Sequence, residues 1–100
     1  MEEAIKEVEG EKDEHEVVAY TLSTCGWCKK TKKLLKELGV KHKCIDIDLL
    51  WGNEGKKIRE ELAEYNPKMS APTVVIDEGE EVIIGFDEEK IREVLEDDEE

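Results

Sequence analysis

The sequence predicts a single α/β domain in which helices cover both faces of a mixed β-sheet. Three observations predict this fold class. The 100 residues leave room for one hydrophobic core. The apolar residues form short β-branched runs and segments of helical spacing, in the order β-α-β-α-β-β-α. The first three elements form a crossover that makes strands one and two parallel, and the last two strands form an antiparallel hairpin.

The first strand and the first helix have the clearest signals. Residues 17–22 are a β-branched apolar run, which is typical of a buried strand. Ser23 or Thr24 is the expected cap of the helix that follows. The apolar positions of that helix recur at helical spacing and are Thr31, Leu34, Leu35 and Leu38. Gly39 is the expected end of the helix.

The remaining elements follow from the same patterns. A second strand is expected at about residues 41–48, and Asn53 is the expected cap of a helix that buries Ile58, Leu62 and Tyr65. Thr73–Ile76 and Glu81–Ile84 flank a glycine-containing loop, which indicates a hairpin. The apolar residues that predict the last amphipathic helix are Ile91, Val94 and Leu95.

Acidic segments flank the predicted domain. We expect an amino-terminal arm over residues 1–15, the folded domain over 16–96, and a tail over 97–100. The arm fits either a short helix through Ala4, Ile5 and Val8 or an edge strand that turns at Gly10. Its sequence does not separate the two.

The charge distribution restricts the partners. A net charge of −13 argues against a general nucleic-acid or membrane binder. No apolar run approaches the length of a membrane span, and the first 16 residues hold eight acidic residues against two lysines, unlike a signal peptide. We therefore expect a cytoplasmic monomer that binds neither membrane nor nucleic acid. Residues 17–45 are the exception: they hold seven lysines, Glu37 and all three cysteines.

Cys25 and Cys28 form a Cys-Gly-Trp-Cys motif at the junction of the first strand and the first helix. A thiolate there meets unpaired backbone N–H groups and the positive end of the helix dipole. We expect Cys25 to be the exposed nucleophile and Cys28 to be the shielded resolving thiol. Lys29 is expected to tune the acidity of the thiol through its positive charge. Trp27, between the two cysteines, is expected to be exposed and to contact a partner.

Zinc binding and inert cysteines are the competing interpretations of this motif. A structural zinc site needs four ligands, and only Cys44, His15 and His42 remain, with no ligand spacing among them. We therefore predict redox chemistry, with no metal site and no cofactor. Cys44 is expected to be a small core residue, and both histidines are expected at the surface. Trp51 is expected to cover the second helix or the sheet.

The chain resembles the glutaredoxin family of the thioredoxin-fold superfamily from residue 17 to about residue 95. Residues 17–21 followed by Thr24-Cys25-Gly26-Trp27-Cys28 are similar to the family's first strand and active site. Ser70-Ala71-Pro72 followed by residues 73–76 is similar to its cis-proline loop and third strand. Residues 82–84 followed by Gly85-Phe86-Asp87 are similar to its fourth strand and the turn after it.

This resemblance implies a thioredoxin fold with a four-stranded sheet of order 2-1-3-4. It also implies a cis peptide bond before Pro72 and a substrate that pairs with the backbone of Ala71. The substrate would lie against Trp27 and the residues that follow the third and fourth strands, namely Ala71, Pro72, Gly85, Phe86 and Asp87.

Four positions differ from the usual family pattern. Gly26 and Trp27 replace a proline and a tyrosine or phenylalanine. Leu22 replaces a lysine that helps to bind the glutathione carboxylate, and Phe86 replaces the second glycine of a turn. These differences make glutathione a doubtful reductant.

The predicted function is that of a glutaredoxin-like enzyme that reduces protein disulfides through a dithiol–disulfide cycle of Cys25 and Cys28. The chain carries no dinucleotide-binding fingerprint, so a separate reductase would have to recycle it. The alternative function is the binding or transfer of an iron–sulfur cluster through Cys25, which some members of the resembled family perform.

Overall fold

A mixed sheet of five strands organises the chain. The computed structural model describes residues 4–96, so the predicted tail at 97–100 lies outside the described residues. The elements are, in chain order, β1 (Ile5–Val8), β2 (Val17–Thr21), α1 (Gly26–Glu37), β3 (His42–Asp46), a 3-10 turn (Ile47–Leu49), α2 (Gly52–Tyr65), β4 (Thr73–Ile76), a second 3-10 turn (Asp77–Gly79), β5 (Glu81–Ile84) and α3 (Glu88–Leu95).

The strand order is β1-β3-β2-β4-β5. Strands β2 and β3 are parallel, and β4 is antiparallel to both β2 and β5. The predicted thioredoxin fold with its order 2-1-3-4 is therefore confirmed as the four strands β3-β2-β4-β5. The strand count of four is wrong, because the amino-terminal arm adds β1 antiparallel to β3, with Ile5 opposite Ile45 and Val8 opposite His42.

Two hydrophobic layers cover the two faces of the sheet. Alternate residues of a strand point to opposite faces, so Ala19 and Val74 pack with Leu35 of α1 and Ile91 of α3 on one face. On the other face, the core cluster consists of Tyr20, Ile45, Ile47, Leu50, Leu62 and Val75. Leu62 comes from α2. The predicted placement of helices on both faces is confirmed.

Both predicted helix caps are wrong by one or two residues. Cys25, not Ser23 or Thr24, is the N-cap of α1, because its sulfur accepts the hydrogen bond from the backbone N–H of Cys28. Trp51 is the N-cap of α2 through its extended backbone, and it makes no side-chain capping bond. Asn53 therefore lies inside the first turn of α2 and has no capping role.

The predicted hairpin of β4 and β5 is present, and its connection is tight. Three consecutive residues at the turn, Asp77, Glu78 and Gly79, have φ angles of 55°, 58° and 108°. The Asp77 carboxylate holds this turn against the start of β2, since it accepts hydrogen bonds from the backbone N–H of Glu16 at 3.0 Å and from Nδ1 of His15 at 2.7 Å.

His42 is buried, with only 4% of its surface exposed, so its predicted surface position is wrong. It begins β3 and points to the same face as Cys44 and Asp46, toward α1. Its Nδ1 donates a hydrogen bond to the carbonyl oxygen of Val40 at 2.7 Å. Burial lowers the pKa of His42 below its ordinary value of 6.5.

None of the helices within residues 4–96 combines the length and the apolar character that a membrane span requires.

We expect the buried His42 to make the fold less stable in acid. Its folded pKa is lowered, so below pH 6.5 the unfolded chain binds a proton that the folded chain does not. The free energy of unfolding should therefore fall as the pH decreases from above 6.5 through the lowered pKa. His42→Gln does not titrate at this position. Urea denaturation should therefore show that its free energy of unfolding falls less than that of the unmodified protein between neutral pH and about pH 5.5. An equal loss in both proteins would contradict this role.

Candidate functional site

Cys25 lies where the central strand meets α1. Strand β2 ends at Thr21, and the backbone N–H of Cys25 donates to the carbonyl oxygen of Leu22 at 3.2 Å, which turns the chain into the helix. The Cys25 Sγ then accepts the N–H of Cys28 at 3.2 Å. Because Cys25 is only partly buried, this sulfur is both accessible and directed by the first turn of the helix.

Cys28 is the protected member of the pair. Its side chain is fully buried, and its Sγ accepts the backbone N–H of Leu22 at 3.4 Å. Burial, followed by the hydrogen bond with Cys25, raises the pKa of Cys28 to about 12. The inner thiol therefore keeps its proton at neutral pH, as its predicted role as the shielded thiol requires.

A shallow cavity of about 260 Å³ lies beside the cysteine pair. Its lining consists of five of the predicted substrate-binding residues, Trp27, Ala71, Pro72, Gly85 and Phe86. The Ala71–Pro72 peptide bond is cis, as the resemblance implied. Asp87 does not line the cavity: its carboxylate caps α3 by accepting the N–H of Lys90 at 3.1 Å.

An aromatic pair forms one wall of this cavity. The rings of Trp27 and Phe86 stack with centroids 5.9 Å apart and planes at 27°. The ammonium group of Lys30 lies 4.7 Å from the Trp27 ring centroid, within range of a cation–π contact. Trp27 stays 58% exposed, which confirms its predicted exposure. The wall therefore presents apolar surface next to the reactive thiol.

Lys29 is exposed at the surface of α1. Lys32, one turn further along the helix, has the charge that acts on the Cys28 thiol, where it opposes the rise in pKa. Its ammonium group lies 3.0 Å from the buried carboxylate of Asp46, which also accepts the hydroxyl of Thr21. This network was missed in the sequence, although Lys32 lies four residues after Cys28 and so on the same helix face.

The loop before Cys25 is tied to the turn after β3. The backbone N–H and the hydroxyl of Ser23 donate to the two carboxylate oxygens of Asp48 at 2.9 and 2.6 Å. The hydroxyl bond is the main reason why the pKa of Asp48 lies below its usual range. The carboxyl ends of the parallel strands β2 and β3 are thereby held together at the site.

Cys44 and His15 lie away from the cysteine pair. Cys44 is buried in β3 opposite Ala19, which confirms it as a core residue, and burial raises its pKa. His15 contacts Asp77 at the hairpin turn. Among residues 4–96, no group of three or more histidine, cysteine or acidic side chains is arranged to hold a metal ion. Trp51 is 85% exposed, so its predicted covering role is wrong.

Comparisons with known proteins find related sequences and structures. The sequence model of the Glutaredoxin family matches residues 17–82. The glutaredoxin of Methanosarcina mazei Go1 is similar in structure, with a TM-score of 0.85 and 45% identity over 93% of this chain and 88% of that chain. The methanoredoxin of Methanosarcina acetivorans gives a TM-score of 0.80 and 44% identity over 86% and 88%.

The glutaredoxin of Ricinus communis is a curated relative that is 35% identical over 60 residues. These residues are 60% of this chain and 57% of that protein. The match therefore spans little more than half the length of the plant relative.

We expect Cys44 to contribute to the core and not to the chemistry. Cys44→Ala should lower the free energy of unfolding by about 1 kcal/mol, because it removes one small buried group. Urea denaturation measures this loss, and disulfide reduction per folded molecule should stay unchanged. A variant that folds normally but loses most of its activity would make Cys44 a third redox residue.

Proposed function

Because this chain belongs to the glutaredoxin family, we propose that it reduces protein disulfides through a dithiol–disulfide cycle of Cys25 and Cys28 in the cytoplasm. The observation that supports this proposal best is the asymmetry of the pair. Cys25 is accessible at the start of α1, whereas Cys28 is fully buried one turn further in. Cys25 can therefore react with a substrate disulfide, whereas Cys28 can react only with Cys25.

In the first step, the Cys25 thiolate attacks one sulfur of the substrate disulfide. The substrate S–S bond breaks, its other sulfur leaves as a thiolate, and a mixed disulfide with Cys25 forms. The N–H of Cys28, which donates to the Cys25 sulfur at 3.2 Å, directs that sulfur and is a stronger donor contact for a thiolate than for a thiol.

In the second step, Cys28 gives up its proton and its sulfur attacks the Cys25 sulfur. The bond between Cys25 and the substrate breaks, and the second substrate sulfur leaves as a thiolate. Over the two steps the substrate has gained two electrons. The protein keeps a Cys25–Cys28 disulfide. The positive charge of Lys32 favours the Cys28 thiolate that this step requires. A separate reductase then returns two electrons to the pair.

The site favours a protein disulfide over glutathione. Leu22 is apolar and packs at the edge of the core beside α2, where it offers no positive charge to a peptide carboxylate. Phe86 fills the turn after β5 with a ring that stacks on Trp27. Both side chains place apolar surface beside the thiol, and apolar aromatic surface is typical of contacts between proteins.

Binding of an iron–sulfur cluster is the alternative function, and it stays a prediction. Cys25 is the one accessible thiol of the pair and would be the ligand that each of two subunits supplies. The buried Cys28 has no use in such a site but is required for the dithiol cycle, which favours the carrier. Anaerobic purification separates the two, because a brown dimer would favour the cluster.

The dithiol cycle predicts different defects for the two cysteines. Cys28→Ser should stop after the first step and accumulate a mixed disulfide between Cys25 and insulin, the substrate used here as a probe. Cys25→Ser should show neither adduct nor turnover, since the buried thiol cannot reach the substrate. Mass spectrometry after acid quenching identifies the adduct. An adduct on Cys28 in Cys25→Ser would reverse the two roles.

The choice of reductant tests the substrate preference. The unmodified protein should turn over well with dithiothreitol and poorly with glutathione. Leu22→Lys should raise the glutathione-dependent rate about tenfold or more, because a charge-assisted hydrogen bond contributes roughly 1.5–3 kcal/mol. Adding Phe86→Gly should raise it further.

Leu22→Met is the matched control for this experiment, since it keeps an apolar side chain of similar size without a charge. Its rate with glutathione should equal that of the unmodified protein. The preference is refuted if the unmodified protein already uses glutathione as fast as dithiothreitol.

A further inference from the structure

The large apolar side chains that the described residues leave exposed are not scattered. They are Trp27, Trp51 and Ile84, at 58%, 85% and 54% exposure. Single exposed apolar residues are normal on a protein surface, whereas a group of them marks a contact site. All three lie at the end of the sheet that carries Cys25.

Trp51 reaches this end through the parallel pairing of β2 and β3. Thr21 and Asp46, the last residues of the two strands, lie opposite each other, so the chain leaves both strands at the same edge. The two hydrogen bonds from Ser23 to Asp48 then tie the loop before Cys25 to the turn that leads to Trp51.

A firm backbone supports the exposed Trp51 ring. The guanidinium group of Arg59 donates to the carbonyl oxygens of Ile47 and Leu50 at 3.1 and 3.0 Å, and Leu50 directly precedes Trp51. Trp51 itself begins α2. The backbone that carries the Trp51 ring is therefore preorganised for contact, because it need not be ordered when a partner binds.

Ile84 and Trp51 lie on opposite sides of the strand that leads to the cysteine pair. It ends β5 and pairs with Thr73, the residue after the cis-proline. The next residue, Gly85, donates its N–H to the carbonyl oxygen of Pro72 at 2.8 Å. Ile84 does not line the cavity itself, but it directly precedes Gly85, which does, and it lies on the outer strand of the sheet.

The apolar groups thus extend across four strands in the order β3-β2-β4-β5. Three strand intervals amount to about 14 Å. A fully extended tripeptide reaches only about 10 Å, so it cannot contact at the same time Trp51, which follows β3, and Ile84, which ends β5. A folded protein can cover the whole distance.

We propose that Trp51, Trp27 and Ile84 form a docking surface for a folded protein that carries its disulfide within an apolar face. This inference rests on the proposed disulfide reduction and names the substrate class. Trp51 contacts a part of the substrate protein beyond the reacting disulfide, and a small disulfide does not cover the whole surface.

The test compares a protein disulfide with a small one. Trp51→Ala should lower kcat/KM for insulin about fivefold or more, the effect of losing an exposed aromatic contact residue, relative to kcat/KM for hydroxyethyl disulfide. Trp51→Phe should restore most of the loss. Lys41→Ala is the control and should change neither rate. Lys41 is exposed and directly precedes the first residue of β3, at the end of the sheet opposite to Cys25.

The outcomes separate this inference from the proposed function. If Trp51→Ala leaves the ratio of kcat/KM for insulin to kcat/KM for hydroxyethyl disulfide unchanged, the docking surface is overturned. This holds even when both disulfides are reduced. Failure of the unmodified protein to reduce either disulfide overturns the proposed function itself. A dimer of the unmodified protein that Trp51→Ala converts to a monomer, by light scattering, would assign the surface to a second copy and overturn the inference.

Discussion

The site depends on how the chain leaves the central strand. Strand β2 is paired on both sides, by β3 and β4, so its end at Thr21 is fixed by two ladders of backbone hydrogen bonds. Only four residues separate Thr21 from the start of α1. Cys25 is therefore forced to be the last residue before the helix, where its sulfur completes the capping of the first turn.

The same constraint explains the buried charges beneath the site. Asp46 ends β3 beside the end of β2, and α1 passes over this face of the sheet, so Lys32 and Thr21 satisfy its carboxylate. This ion pair is weak support for stability, because the Asp46 carboxylate is removed from water while Lys32 stays partly exposed. Lys32 lies on the same face of α1 as Cys28, however, and its positive charge acts on the inner thiol.

Much of the fold could be predicted from the sequence, because the strands β2 to β5 and all three helices carry strong periodic patterns. β1 could not be chosen over a helix, since a short edge strand with charged residues at Lys6 and Glu7 lacks a continuous apolar face. The predicted surface position of His42 and the predicted covering role of Trp51 were wrong because hydropathy alone does not say which positions a neighbouring helix covers. The cis-proline loop followed from the family resemblance and not from any local pattern.

In the proposed cycle, the asymmetry of the two thiols also sets the order of the chemical steps. Two of the causes that raise the pKa of Cys28 come from Cys25, namely its hydrogen bond and its charge. Once Cys25 is bonded to a substrate sulfur, it no longer carries a negative charge, so the repulsion between the two sulfurs disappears. The opposing charge of Lys32 remains, and the inner thiol then loses its proton more easily than before. Burial, the largest cause of the raised pKa of Cys28, remains in the mixed disulfide, so the attached substrate removes only the part of the rise that comes from Cys25.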